Sequence, residues 1–133
     1  MSNKTIRVLL AKVGCDIHER GALTLLTVLR DEGMEVIYTG RYQTEEAVAR
    51  AAVAEDVDVI AVSDLTGSLP IITREIFAHL KKLDAADIPL IAGGLLTEDD
   101  ANVMKAQGVI ASFGTGSRTD AFVECIKKLA SGK

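Results

Sequence analysis

A doubly wound α/β fold, a five-stranded parallel sheet with helices on both faces, is what this sequence predicts, and three observations predict it. Short apolar runs alternate with amphipathic stretches five times along 133 residues. The runs are near-continuous in Val, Ile, Leu and Ala, the pattern of strands buried on both faces of a parallel sheet. The connections are short, and strict strand–helix alternation with short connections implies right-handed crossovers and an open sheet.

The strands are expected at Ile6–Ala11, Val36–Thr39, Val57–Ser63, Leu90–Ala92 and Val109–Phe113. Ala22, Leu25, Leu26 and Leu29 recur at helical spacing, with Gly33 as a left-handed terminator of the first helix. Thr44 precedes Glu45 and Glu46, an N-cap followed by acidic residues at the positive helix end, and Ala47, Val48, Ala51 and Ala52 form the stripe of the second helix. Ile72, Ile76, Leu80 and Leu83 mark the third. Thr97-Glu98-Asp99-Asp100 resembles a capping box for the fourth, and Phe122, Cys125, Ile126 and Leu129 stripe the fifth. The simplest order for five such units is the flavodoxin-like 2-1-3-4-5.

The bulk properties set the class. The length suits one compact domain spanning 1–133, with no internal repeat or linker. Apolar residues at 48% and charged residues at 26%, with only two prolines, describe a folded globular chain. A net charge of −4 argues against nucleic acid or an anionic membrane as partner, since both are met by a Lys/Arg excess. Cys15 and Cys125 form no C-x-x-C pair, so neither a disulfide framework nor a zinc knuckle is indicated. With neither a signal peptide nor a run of membrane-spanning length, the expected location is the cytoplasm.

In an open doubly wound sheet, ligands bind beyond the carboxyl ends of the strands where strand order reverses, here between strands one and three. The loop after strand one, Lys12-Val13-Gly14-Cys15-Asp16-Ile17-His18-Glu19-Arg20-Gly21, is long and dense in ionisable groups. Strand three runs into Ser63-Asp64-Leu65-Thr66-Gly67-Ser68. Strand four ends in Gly93-Gly94, and strand five in Phe113-Gly114-Thr115-Gly116-Ser117. Small residues collected on one edge let a broad, flat ligand approach the backbone.

The chemical centre is Asp16-x-His18. A carboxylate accepting the proton of one imidazole nitrogen leaves the other nitrogen for a metal, and Lys12 could pair with Asp16 to keep it ionised. Taken alone, the pattern reads equally well as a helix-capping Asp beside an exposed loop histidine. A zinc site fits poorly, because neither a second His nor a Cys pair lies at the usual ligand spacing from His18, and one protein ligand implies a cofactor supplying the others. His79, beside Lys81 and Lys82, reads as a solvated helix residue, and Cys15 as a small packed side chain.

Asp16-x-His18-x-x-Gly21, Ser63-x-Leu65 and Gly93-Gly94, in that order on this scaffold, resemble the cobalamin-binding domains of methylmalonyl-CoA mutase and its relatives. Arg7-Val-Leu-Leu-Ala-Lys-Val-Gly, Glu35-Val-Ile-Tyr-Thr-Gly and Glu55-Asp-Val-Asp-Val-Ile are also similar to the acyl-CoA mutase branch, so the resemblance runs from about Ile6 to Ile126. It implies adenosylcobalamin bound base-off/His-on, with the benzimidazole tail in a slot of the domain and His18 in its place on cobalt. Asp16 matches the carboxylate behind that histidine, and Lys12 the third member of the relay. Gly21, Ser63, Leu65, Gly93 and Gly94 match the tail pocket, with Phe113, Gly114, Thr115 and Gly116 toward its far end.

The resemblance also implies a separate large subunit whose barrel domain binds the acyl-CoA. The assembled complex would rearrange the acyl carbon skeleton, and the small subunit would be inactive alone. Two departures stand out: Asp-Ile-His-Glu-Arg-Gly replaces the family's frequent Asp-Gly-His-Asp-Arg-Gly, and Asp64 occupies a position usually apolar. Ile17 and Asp64 are expected at the corrin face. Two competing readings share the topology. A corrinoid carrier for methyl transfer usually places a helical cap before the fold, for which a first strand at about residue five leaves no room. A receiver-like signalling domain needs an acidic cluster after strands one and three and a Lys after strand five, where Phe113-Gly-Thr-Gly supplies none.

Overall fold

The computed structural model describes residues 5–13, 20–40 and 43–131. Its elements alternate as the apolar runs require: β1 Arg7–Ala11, α1 Arg20–Asp31, β2 Glu35–Tyr38, α2 Glu45–Ala54, β3 Val59–Asp64, α3 Leu69–Lys82, β4 Leu90–Gly94, α4 Glu98–Gln107, β5 Ala111–Gly114 and α5 Thr119–Ser131. The sheet is parallel throughout, in the order β2-β1-β3-β4-β5. Among the described residues no helix is long and apolar enough to cross a membrane.

Alternation along each strand sends side chains to two separate cores. Leu9, Ile60, Val62, Leu90 and Ala92 meet Val48, Ala52, Ile72, Ile76, Leu80 and Met104 on the face covered by α2, α3 and α4. Val8, Leu10, Val59, Ala61 and Ile91 meet Leu25, Leu29, Val123 and Ile126 beneath α1 and α5. Burial on both faces holds for β1, β3 and β4. It does not hold for the edge strands: β2 keeps one buried residue, Val36, and β5 has none, because each has a neighbour on one side only. In α2 the buried stripe is Val48, Ala49 and Ala52, with Ala47 and Ala51 half-buried, so the stripe is rotated slightly from the one expected.

The helix termini carry much of the local specification. Thr44 Oγ1 accepts from Ala47 N at 3.0 Å, and Thr97 and Asp100 form a reciprocal capping box, each side chain accepting from the other's backbone N–H at 3.0 Å. Four helices end on a left-handed residue: Gly33, Asp56, Asp84 and Gly108. In each case the following N–H bonds back five residues along the helix end, as in Met34 N to Leu29 O and Val57 N to Ala52 O. Aspartate takes two of these positions because its short polar side chain tolerates that conformation better than most.

Candidate cofactor site

The carboxyl ends of β1, β3, β4 and β5 meet the first turns of α1 and α5 around a cavity of about 530 Å³. Nine residues anticipated from sequence line it: Gly21, Ser63, Leu65, Gly93, Gly94, Phe113, Gly114, Thr115 and Gly116. The strand register explains why they meet, because Ser63, Gly93 and Phe113 are direct neighbours across β3, β4 and β5. Ser117, which ends the small-residue segment after strand five, also lines it; Leu10, Thr24, Leu25, Ala61, Val62, Thr119 and Phe122 complete the lining and were not anticipated. Leu25 and Phe122 belong to helix stripes that periodicity alone assigns to the core. The one signal that could have flagged Thr24 and Leu25 is their position one turn after Gly21, on the same helix face.

The walls are mainly apolar, with Phe113 and Phe122 as a tilted ring pair, centroids 4.2 Å apart and planes at 32°. Hydroxyls of Ser63, Thr24, Thr115, Ser117 and Thr119 are the polar exceptions, and no charged side chain lines the cavity among the described residues. Among the described residues such a lining offers shape, apolar contact and hydroxyl groups, and no ionisable side chain.

The glycines divide by what stands where a β-carbon would be. At Gly21, Gly114 and Gly116 nothing lies within 4 Å, so the backbone is open to the cavity. At Gly93 a β-carbon would come 2.7 Å from Phe122 Cζ, and at Gly94 it would overlap the carbonyl oxygen of Asp64. Both still line the cavity, but each missing side chain is already required by the protein's own packing.

Lys12 follows β1 and is fully buried. Its Nζ donates to Ser63 O at 3.4 Å and its backbone N to Thr39 Oγ1 at 3.2 Å, so it ties together the ends of β1, β2 and β3. Asp16 and His18 lie outside the described residues, as do Cys15 and Ile17. Asp64, expected at the corrin face, is instead fully buried. Its carboxylate accepts from Thr66 Oγ1 at 2.8 Å, Ser68 N at 3.0 Å and Thr66 N at 3.2 Å. Those bonds organise the entry to α3, where the sequence suggested a ligand-facing substitution. His79 is half-buried on α3, and no group of three or more metal-ligating side chains occurs among the described residues.

The fold and this edge define a class: an open doubly wound α/β domain with a cavity at the carboxyl edge of its sheet, where ligands of such folds bind. Within that class, the chain belongs to the B12 binding domain family, which it matches over residues 6–125. It is 39% identical over 133 residues to the 2-hydroxyisobutanoyl-CoA mutase small subunit of Aquincola tertiaricarbonis, covering 100% of this chain and 98% of that one. It is 37% identical over 126 residues to the pivalyl-CoA mutase small subunit of Xanthobacter autotrophicus, covering 95% and 84%. Among solved structures, a cobalamin-binding protein from Desulfitobacterium hafniense superposes with a TM-score of 0.80 at 21% identity, covering 95% of this chain and 60% of that one. A response regulator from Thermotoga maritima superposes at 0.67 and 17%, covering 96% and 99%. At these identities the superpositions show the fold alone, and both the cobalamin-binding and receiver topologies share it.

Proposed function

We propose that this chain, as a single cobalamin-binding domain, is the small subunit of an adenosylcobalamin-dependent acyl-CoA mutase and acts in the cytoplasm. The observation that carries the reading is the cavity at the β1/β3 switch, where nine residues singled out from sequence converge. The residues fit the cofactor's tail: open backbone at Gly21, Gly114 and Gly116 gives a flat aromatic base room, the apolar walls remove it from water, and hydroxyls stand ready for its ring nitrogen. The two small-subunit relatives carry the same reading to the level of a mutase component.

In this reading the chain holds and orients the cofactor. His18 would offer an imidazole nitrogen to the cobalt, Asp16 would accept a hydrogen bond from the ring's other N–H, and Lys12, whose Nζ donates to Ser63 O, would fix the start of the loop carrying both. Adenosylcobalamin, when bound, supplies the radical that starts the 1,2-rearrangement of the acyl carbon skeleton. A large subunit with an acyl-CoA-binding barrel provides the substrate contacts, so the chain alone is inactive.

The test is electron paramagnetic resonance of cob(II)alamin, with unlabelled cofactor, on uniformly nitrogen-15-labelled protein. Two-line superhyperfine splitting, lost in His18→Ala, is expected. Three-line splitting would show that the cofactor keeps its own base on cobalt and would overturn the base-off/His-on arrangement. Absence of binding would overturn the cofactor reading. Co-purification of a large subunit, with mutase activity only in the mixture, tests the remainder.

A further inference from the structure

The lining of the cavity is uneven, and the unevenness centres on one side chain. Over β1 and β3 the cavity reaches down to Leu10 and Ala61, one inward-facing position below the row formed by Ser63, Gly93 and Phe113. On β4 the residue level with Ala61 is Ile91, which is fully buried. The space above Gly93 is taken by the ring of Phe122, whose Cζ and Cε2 would lie 2.7 and 3.0 Å from a β-carbon there. Phe113 backs the same ring at a centroid distance of 4.2 Å, and its carbonyl oxygen lies 3.4 Å from the same point. Phe122 is thus wedged over the ends of β4 and β5 while remaining half-buried, with part of its ring facing the cavity.

From this geometry we infer that Phe122 is a specificity-determining residue: its ring is the side wall that sets the width of the tail slot and selects among cobalamin-type cofactors by the size of their lower base. The inference rests on the cofactor reading above. Nothing stands where a β-carbon would be at Gly21, Gly114 and Gly116, and a planar base seated in the cavity over β3 meets the ring of Phe122 on its β4 side. Gly93 matters here because it lets the wall stand close to the strand. A bulkier base meets the ring, and packed aromatic walls resist added atoms.

The experiment measures dissociation constants, by the absorbance change on binding, for three corrinoids: cobinamide, which has no tail, cobalamin, and a cobamide with a naphthimidazole base. The unsubstituted protein is expected to prefer cobalamin over the naphthimidazole form. Phe122→Ala should shift that ratio toward the larger base by roughly tenfold, the scale on which pockets discriminate by a few carbon atoms. Cobinamide affinity should change by less than about twofold on the same argument, since it makes no tail contact. Phe122→Leu, which keeps most of the side-chain volume, should shift the ratio in the same direction and carries the test where the alanine variant does not fold. An unchanged ratio, or an equal loss for cobinamide and both tailed forms, would overturn the inference and leave the cofactor reading intact. Failure of the unsubstituted protein to bind all three would overturn the cofactor reading and this inference together.

Discussion

The β-carbon that Gly94 lacks would overlap the carbonyl oxygen of Asp64 and fall 2.7 Å from its carbonyl carbon. Leu95 N donates to that oxygen at 2.9 Å, so the ends of β3 and β4 are locked at one point by backbone alone. Gly94 also sits at φ +136°, where an L side chain is strained. Gly94→Ala should therefore cost about 3 kcal/mol or more, combining backbone strain with overpacking. Gly114→Ala provides the contrast, because nothing lies within 4 Å of its added methyl. Its stability should stay within about 0.5 kcal/mol of the parent. Cobalamin affinity should nonetheless fall, as the methyl enters the cavity. Urea unfolding and cofactor titration of the two variants would separate the roles.

Asp64 acts through hydrogen bonds to Thr66 and Ser68. Replacing it by Leu leaves two backbone N–H groups at the α3 entry without their acceptor. The expected loss is about 2 kcal/mol. Asn keeps one side-chain acceptor oxygen and should lose less. A urea midpoint unchanged by the Leu substitution would show that the carboxylate bonds to Thr66 N and Ser68 N do not stabilise the loop.

Cys125 offers a pH-dependent signature. Burial raises its thiol pKa, against a smaller opposing pull from Lys128. In a Cys15→Ser background, alkylation by iodoacetamide at pH 8 should be slower for the folded chain than in urea, because less thiolate is present. Since the native thiol holds its proton more tightly than the unfolded one, stability falls as pH rises from the unfolded thiol's pKa toward the folded value. Equal alkylation rates in folded and unfolded protein would contradict this.

The strand order, the helix stripes and the caps at Thr44 and Thr97 were legible in the sequence because each rests on local periodicity or a short capping pattern. Nine lining residues were legible because the topology sends the loops after the strands to one edge and the resemblance to cobalamin-binding domains singled out residues within them. Phe122 was not: its place in an apolar stripe looks the same whether it packs on a core or walls a cavity, and only the missing β-carbon of Gly93 separates the two. Gly94 carried the opposite ambiguity, since a glycine required by Asp64 O and one that admits a ligand read alike. Asp56 and Asp84 hid two helix ends that glycine would have announced. The burial of Asp64 depends on a loop folding back on its own carboxylate, which no periodicity encodes. Asp16 and His18 remain as the sequence presents them, outside the described residues.

The cavity lies on one face of the sheet only, and the two faces should open at different free energies. Under α3 the apolar packing of Leu69, Ile72, Ile76 and Leu80 is unbroken, whereas the cavity interrupts the packing beneath the first turns of α1 and α5. Amide hydrogen exchange should accordingly show α1 and α5 detaching as a unit of lower local stability, with α3 exchanging only on global unfolding. A ligand that fills the cavity would slow exchange in α1 and α5 selectively, making occupancy readable from the amides of two helices without following the cofactor at all.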